Sequence, residues 1–327
     1  MENVIKFLTN PIFLWIVGAL LVSGLFMWVL TYFVASHQVY ISTLKRKDKN
    51  TWSRDLPSEL EPRSIFMYEQ GKKWAEANKQ YKCDVHVVRD GFNLYGEFYD
   101  FKSDKCVFVM SGRTESLKYG YYFAIPYAEK GYSVLVVDPR AHGLSDGEYN
   151  TVGFEESKDA IAWINYITKT FNVKSVVFHG ICIGAAGSII ASTSPNCPKE
   201  VTAIVTEGMF VNFAESVKNH LIERKKPVFI MLDLIDEQMK KYTGHSMKVG
   251  PINYIHNLNK PLLMLHSKED IYSTPEKAVE LYNKAGTTDK EIVWFAKGDH
   301  SMLRYTDTER YDNAIKAFLD KLDKKER

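Results

Sequence analysis

From residue 85 onward the chain repeats one pattern: a short run of β-branched and apolar residues, a turn, then a helical stretch. The runs fall at 107–110, 133–137, 175–179, 201–206, 261–266 and 291–295, and helical patterns separate them, as at 114–130, 155–170 and 275–285. Nearly continuous apolar strands of this length have no face left for water. They predict a mostly parallel central sheet flanked by helices on both sides, the α/β class. The segment before them, VHVVRDGFNLYGEFY, reads as a hairpin turning at Asp90-Gly91. Ligand chemistry in such sheets gathers at the carboxyl ends of the strands.

One further segment cannot belong to that sheet. Residues 12–35, IFLWIVGALLVSGLFMWVLTYFVA, carry no charge, and as a helix they would extend about 36 Å, enough to cross a hydrocarbon core of about 30 Å. Trp15, Trp28 and Tyr32 stand toward its ends, where aromatic rings favour the membrane interface. A cleaved signal peptide is the competing reading. Against it stand a weak basic leader, with only Lys6 offset by Glu2, and no small-x-small cleavage site before Ser36-His37. Lys45, Arg46, Lys47 and Lys49 follow the run, and the positive-inside rule then favours the cytoplasmic side for everything after it. The same cluster would equally solvate a linker or attract anionic headgroups. The expected organisation is a tail over 1–11, a transmembrane helix over 12–35, a connector with a leading helix near 64–78 over 36–82, and one domain over 83–327. Within that domain, about 208–256 is too long for a simple strand-to-helix connection; its amphipathic stretch reads as ordinary core-facing helix or, as the resemblance drawn below implies, as a small helical lid.

A balance of 42 basic and 40 acidic side chains gives no electrostatic reason for nucleic-acid binding. Four scattered cysteines, Cys83, Cys106, Cys182 and Cys197, make neither a disulfide scaffold nor a paired metal site. No phosphate-cradling loop or nucleotide fingerprint is present, so neither cofactor nor metal is expected. His220, His245 and His256 lack metal-ligand spacing and read as surface residues.

Three strand ends carry chemistry in a fixed order. After the run at 175–179 comes Gly180-Ile181-Cys182-Ile183-Gly184, a G-x-C-x-G turn from strand into helix. Such a turn holds its central residue in a strained conformation at a helix N-terminus, and side chains at 180 or 184 would crowd the neighbouring backbone. The run at 261–266 is followed by Asp270, and the run at 291–295 by His300. A buried cysteine is usually a small hydrophobe, a strand-end aspartate often caps a helix, and a histidine is often structural. Nucleophile, acid and histidine in that order, each after its own strand, are together more specific than any one alone. Glu207, ending the run at 201–206, is the rival for the acid.

With these motifs the chain resembles α/β-hydrolases of the esterase, lipase and S33-peptidase-like group, particularly bacterial members with an N-terminal membrane anchor. The resemblance also rests on Asp138-Pro139-Arg140-Ala141-His142-Gly143-Leu144-Ser145-Asp146-Gly147, on HSKEDIYSTP at 266–275 and on GDHSMLRY at 298–305, so it spans roughly residues 85–323. It implies a structural role for His142. It also implies a Cys-His-Asp triad in which Cys182 attacks an acyl carbonyl, His300 moves the proton and Asp270 orients the imidazole. The backbone N–H groups of Ile183 and Arg113 would form the oxyanion hole. Two departures qualify it: Ser111-Gly112-Arg113 lacks the family's histidine, and cysteine replaces the commoner serine. An acyl-thioester passes readily to amines, thiols or alcohols, so acyl transfer competes with hydrolysis. A retired site kept as a membrane-tethered scaffold is the third reading. Anchor and lid together point to a small acyl substrate, lipid-like in character.

Overall fold

The computed structural model describes residues 1–46, 61–113 and 115–326. Lys47, Lys49 and Thr114, which entered the readings above, lie outside the described residues.

A short helix α1 (Glu2–Leu8) precedes the long α2 (Pro11–Leu44). The start of α2 is encoded locally. The Asn10 side chain accepts the N–H groups of Ile12 and Phe13, and Pro11 occupies the first turn, where a missing N–H costs nothing. Helix α2 does not end with the apolar run at residue 35. It continues to Leu44, and its last turns bury Ser36, Tyr40 and Leu44 against the following domain. By length and composition the helix can span a membrane, as can a signal sequence. Its apolar part is bare in the structure, with Trp15, Leu21 and Phe26 all largely exposed.

The domain begins with α3 (Pro62–Ala77), followed by the hairpin β1 (Lys82–Arg89) and β2 (Phe92–Tyr99) turning at Asp90-Gly91. Then come β3 (Lys105–Met110), α4 (Leu117–Ala128), β4 (Ser133–Val137), α5 (Phe154–Thr170), β5 (Ser175–Ile181), α6 (Ile183–Ser192) and β6 (Val201–Glu207). Helices α7 (Phe213–Glu223) and α8 (Met231–Thr243) fill the long insertion. The chain closes with β7 (Leu262–Ser267), α9 (Pro275–Lys284), β8 (Lys290–Phe295), the single turn α10 (Leu303–Thr306) and α11 (Thr308–Glu326).

The eight strands form one sheet in the order β1-β2-β4-β3-β5-β6-β7-β8. Pairing is parallel from β4 to β8 and antiparallel only around β2. The period-two alternation of a strand sorts the core between the two faces. Val107, Val109, Val134, Val136 and Val177 pack on one side with α4 and α11. Phe108, Leu135, Val176, Phe178 and Ile204 pack on the other with α5, α6 and α9. With both faces covered, the carboxyl edge of the parallel strands is where groups can meet a ligand.

The Asp138–Gly147 segment is a structural loop. Asp138 accepts the N–H groups of Leu117 and Leu144, and the Ser145 hydroxyl donates to the Asp138 carbonyl while receiving the Tyr95 N–H. His142 is fully buried, its Nδ1 is 2.8 Å from the Arg140 carbonyl, and burial pushes its pKa down to about 4. This same loop receives the end of α2. Arg46 donates to the carbonyls of Ser145 (2.7 Å) and Gly143 (2.5 Å), its N–H donates to the Glu148 carbonyl, and the Leu44 carbonyl accepts the Asn150 N–H. Arg46, expected as part of a solvated basic flank, is instead a buried clasp between the end of α2 and the domain.

Candidate active site

Cys182 follows the last residue of β5 and caps α6 with φ +52° and ψ −108°, a conformation that L-residues rarely adopt. The two neighbouring glycines permit it. A Cβ on Gly184 would stand 2.0 Å from the Met110 carbonyl oxygen, and one on Gly180 would stand 2.4 Å from the Gly184 carbonyl. Helix α6 therefore lies directly against β3 and β5, with its N-terminus and the Cys182 side chain at the carboxyl edge of the sheet.

His300 lies in the loop after β8 and Asp270 in the loop after β7. The His300 Nδ1–H donates to Asp270 Oδ2 across 2.7 Å. The other carboxylate oxygen of Asp270 accepts the N–H groups of Tyr272 and Ser273, which hold it in place. Ser273 is pinned in turn, its hydroxyl on the Gly208 carbonyl and its own carbonyl 2.6 Å from His266 Nε2. Burial alone would raise the Asp270 carboxyl, but His300 and the Ser273 N–H bring it below the usual carboxylate range. Burial alone would lower His300. Its interactions with Cys182 and with the Asp270 carboxylate outweigh that and hold the imidazole well above its ordinary value. Its Nε2 is buried, with no hydrogen bond of good geometry. Cys182, Asp270 and His300 are thus brought together, with the imidazole between thiol and carboxylate.

Glu207 is engaged elsewhere. Its carboxyl accepts the Leu303 N–H at 3.0 Å and the Tyr311 hydroxyl at 2.6 Å, and that hydroxyl also meets His179 Nε2. Burial pushes Glu207 up to about 7. Its place is beneath the histidine loop, bracing it.

On the β3 side, the Gly112 N–H points at the Glu115 carboxylate, 3.1 Å away, and the Arg113 guanidinium reaches the Thr43 carbonyl of α2. Ile183 opens α6 beside Cys182. Glu115 was not singled out from the sequence, and no local signal marks it; a lone glutamate before a helix reads as an N-terminal charge.

Above the cysteine lies a cavity of about 590 Å³. Cys182 and His300 are at its floor, and Arg113, Phe213, His220 and Tyr272 are among its walls. Helix α7 is tied to the aspartate loop: the Tyr272 hydroxyl donates to Glu223 at 2.7 Å, Asn219 donates to the Tyr272 carbonyl, and His220 stacks on the Tyr272 ring at 3.8 Å. His220 is therefore a wall of the site and no ordinary surface histidine. His245 is also engaged, stacking on Phe154 and meeting Glu155 at 3.0 Å, while His256 is exposed. Among the described residues no group of three or more His, Cys, Asp or Glu is arranged to hold a metal ion.

The strand order, the strained residue after β5 and the paired loops after β7 and β8 are those of the α/β-hydrolase fold. The family model of the X-Pro dipeptidyl-peptidases (S15 family) matches residues 65–224. The uncharacterized protein YqkD of Bacillus subtilis is 26% identical over 220 residues, covering 66% of this chain and 70% of its own. A carboxylesterase of the same organism is 22% identical over 240 residues, covering 67% of this chain and 94% of its own. Among solved structures, the esterase Pf2001 of Pyrococcus furiosus superimposes with a TM-score of 0.63 at 22% identity, over 76% of this chain and 93% of that one. These likenesses support a hydrolase of the esterase or peptidase type.

Proposed function

We propose that the chain is a membrane-anchored hydrolase that cleaves an ester, thioester or amide bond through an acyl-thioester on Cys182. The observation that carries the reading is the strained Cys182 at a helix N-terminus with the His300–Asp270 pair beside it.

His300 takes the Cys182 thiol proton as the sulfur attacks the acyl carbonyl, and the Sγ–C bond forms as the carbonyl π electrons move to oxygen. The N–H groups of Ile183 and Arg113 receive that oxyanion. Collapse breaks the bond to the leaving group, which takes the proton from His300. Water then enters, His300 accepts its proton, and the hydroxide displaces the thiolate to release the acid. Asp270 keeps Nδ1 protonated and stabilises the imidazolium throughout. Helices α7 and α8 serve as the lid. The exposed apolar length of α2 crosses the bilayer, with the catalytic domain on the cytoplasmic side in keeping with Lys45 and the Arg224-Lys225-Lys226 run.

Acyl transfer is a second reading. Five carboxylates around the cavity, Glu61, Glu115, Glu223, Glu269 and Asp299, outnumber Arg63, Arg113 and Arg224, although Arg63 pairs with two of them, and that balance favours an amine acceptor.

The test is incubation of the full chain with short p-nitrophenyl esters, followed by intact-mass measurement. An acyl adduct at Cys182 is expected, with turnover falling at least about 10³-fold in Cys182→Ala and His300→Ala. No adduct, together with unchanged turnover in Cys182→Ala, would leave the site a retired scaffold. Faster deacylation by added amine than by water alone would make the enzyme a transferase. Protease accessibility of the domain in sealed vesicles reads the orientation.

A further inference from the structure

The space over Cys182 adjoins a second cavity. This one, about 410 Å³, lies between the later turns of α2 and the helices α7 and α8, with Ala35, Val39, Val217, Leu221 and Met231 in its wall. Arg113, Phe213, His220 and Arg224 belong to the walls of both cavities, so only side chains separate them. His220 at this partition is held neutral near pH 7, because burial pushes its pKa down to about 4. The α2 residues along the second cavity run from Thr31 to Thr43, a rise of roughly 18 Å. Thr31 and Tyr32 lie within the uncharged stretch that meets the bilayer, whereas Thr43 accepts from Arg113 beside the reaction site.

The rim at the membrane end has its own chemistry. The loop between α7 and α8 exposes Arg224, Lys225 and Lys226, and around them Ile222 is 55% and Phe229 79% exposed. Basic side chains interleaved with bare apolar ones suit an anionic headgroup layer. A fatty chain passing from bilayer to cavity goes from one apolar medium to another. By the polar mouth it would be hydrated on the way, at a cost that grows with each methylene.

We propose that the second cavity is an acyl-chain site, and that its occupant is one chain of an anionic glycerolipid entering from the bilayer alongside α2. The inference rests on the Cys182 acyl-enzyme reading and specifies its substrate class. The ester carbonyl reaches Cys182 past Arg113, the Sγ–C bond forms, and the acyl C–O bond breaks. The glycerol oxygen leaves with the His300 proton, and water releases the fatty acid.

The test uses the full chain in phosphatidylcholine–phosphatidylglycerol vesicles containing a diazirine-chain phosphatidylglycerol. On irradiation, label is expected on Val217, Leu221 or Met231, which are nearly inaccessible from outside. Ala35→Trp and Ser42→Trp, two separate ways of narrowing the cavity, should lower that label and the release of fatty acid about tenfold. Both variants should keep short p-nitrophenyl ester turnover within about twofold of the parent. Label confined to residues 12–34 overturns the proposal. So does lipid cleavage unchanged in both variants, or equal loss on lipid and short ester. Rapid cleavage of a soluble long-chain acyl-thioester with vesicle lipid untouched would place the chain's source in solution and overturn entry from the bilayer. Absence of a short-ester adduct at Cys182 would instead sink the acyl-enzyme reading, while the photolabel still reports on the cavity.

Discussion

His300 is held from three sides: by Asp270 on its ring, by Glu207 under its loop, and by Gly208 against its face. Gly208 has φ +58°, and a Cβ there would stand 3.0 Å from His300 Cε1. Gly208→Ala should push the imidazole off Asp270 and lower turnover by about 10- to 100-fold, while destabilising the fold by only about 1–2 kcal/mol. Ester kinetics beside thermal melting separate the two effects. Glu207 makes a pH prediction. Its folded pKa of about 7 lies above the unfolded value of about 4.3. Between the two the unfolded chain has released the proton and the folded chain has kept it, so stability falls as pH rises through that window and levels off above it. Glu207→Gln should remove that one contribution, on the order of 3 kcal/mol, so that the variant's stability relative to the parent rises from pH 4 to 7, as read by melting both proteins in detergent from pH 4 to 8. The raised His300 pKa acts in the same direction at higher pH: its stabilisation is full below about 6.5 and fades as pH rises through the folded value. Below pH 6.5 the Glu207→Gln variant should keep a slope of opposite sign, stability rising with pH, because burial holds His142 and His220 down to about 4; its falling slope should lie above pH 6.5.

At the scale of elements, the approach of α6 to β3 decides whether Cys182 can stand where it does. The contact of Gly184 with the Met110 carbonyl involves backbone on both sides, so no side chain can rotate away. Gly184→Ala should cost more than about 3 kcal/mol and yield little folded protein, measured by expression and melting of the variant. Helix α7 depends on sequence in a different way. Its apolar spacing announces a helix, and Asn212 caps it through the Glu215 N–H. That it grips the Asp270 loop through Tyr272 is visible only when residues 219–223 and 272 are brought together. Strand ends were readable to within a residue or two because each strand is uniformly apolar until the carboxyl edge. Helix ends were less so, and α2 is the clearest case: past residue 35 its polar residues suggested a connector, yet Tyr40 packs against the stacked Tyr149 and Tyr242 rings and keeps the helix going.

For the molecule as a whole, the end of α2 and the sheet domain form one packed unit. Helix α2, at about 51 Å, is longer than a 30 Å hydrocarbon core, and the excess is docked on α8 and the 143–150 loop. Arg46 closes that joint with charged hydrogen bonds to two carbonyls that have few other donors near them. Arg46→Ala should lower stability by about 2–3 kcal/mol and loosen the anchor, making proteolysis near residue 46 faster while the sheet domain stays folded. Limited proteolysis followed by mass mapping checks this. Equal proteolysis in both proteins would mean that the joint is held by the tyrosine stack alone.

What the amino-acid order determined by itself was whatever local rules govern: the apolar alternation that makes a covered parallel sheet, the uncharged run that can span a membrane, the glycines around Cys182, and the sequence of cysteine, aspartate and histidine after three strands. These follow from backbone sterics and from hydrophobic period, which act over a few residues. Which carboxylate faces His300 was open between Asp270 and Glu207, because both end neighbouring strands. The choice came from the loop after β7, whose Tyr272 and Ser273 amides aim Asp270 at the ring, while Tyr311, far along the chain, claims Glu207. His220 as a wall of two cavities, Arg46 as a clasp, and the hollow between α2 and the α7–α8 pair likewise required the packed chain. Each is a meeting of segments far apart in the chain, and only the tertiary fold brings such partners within reach of one another.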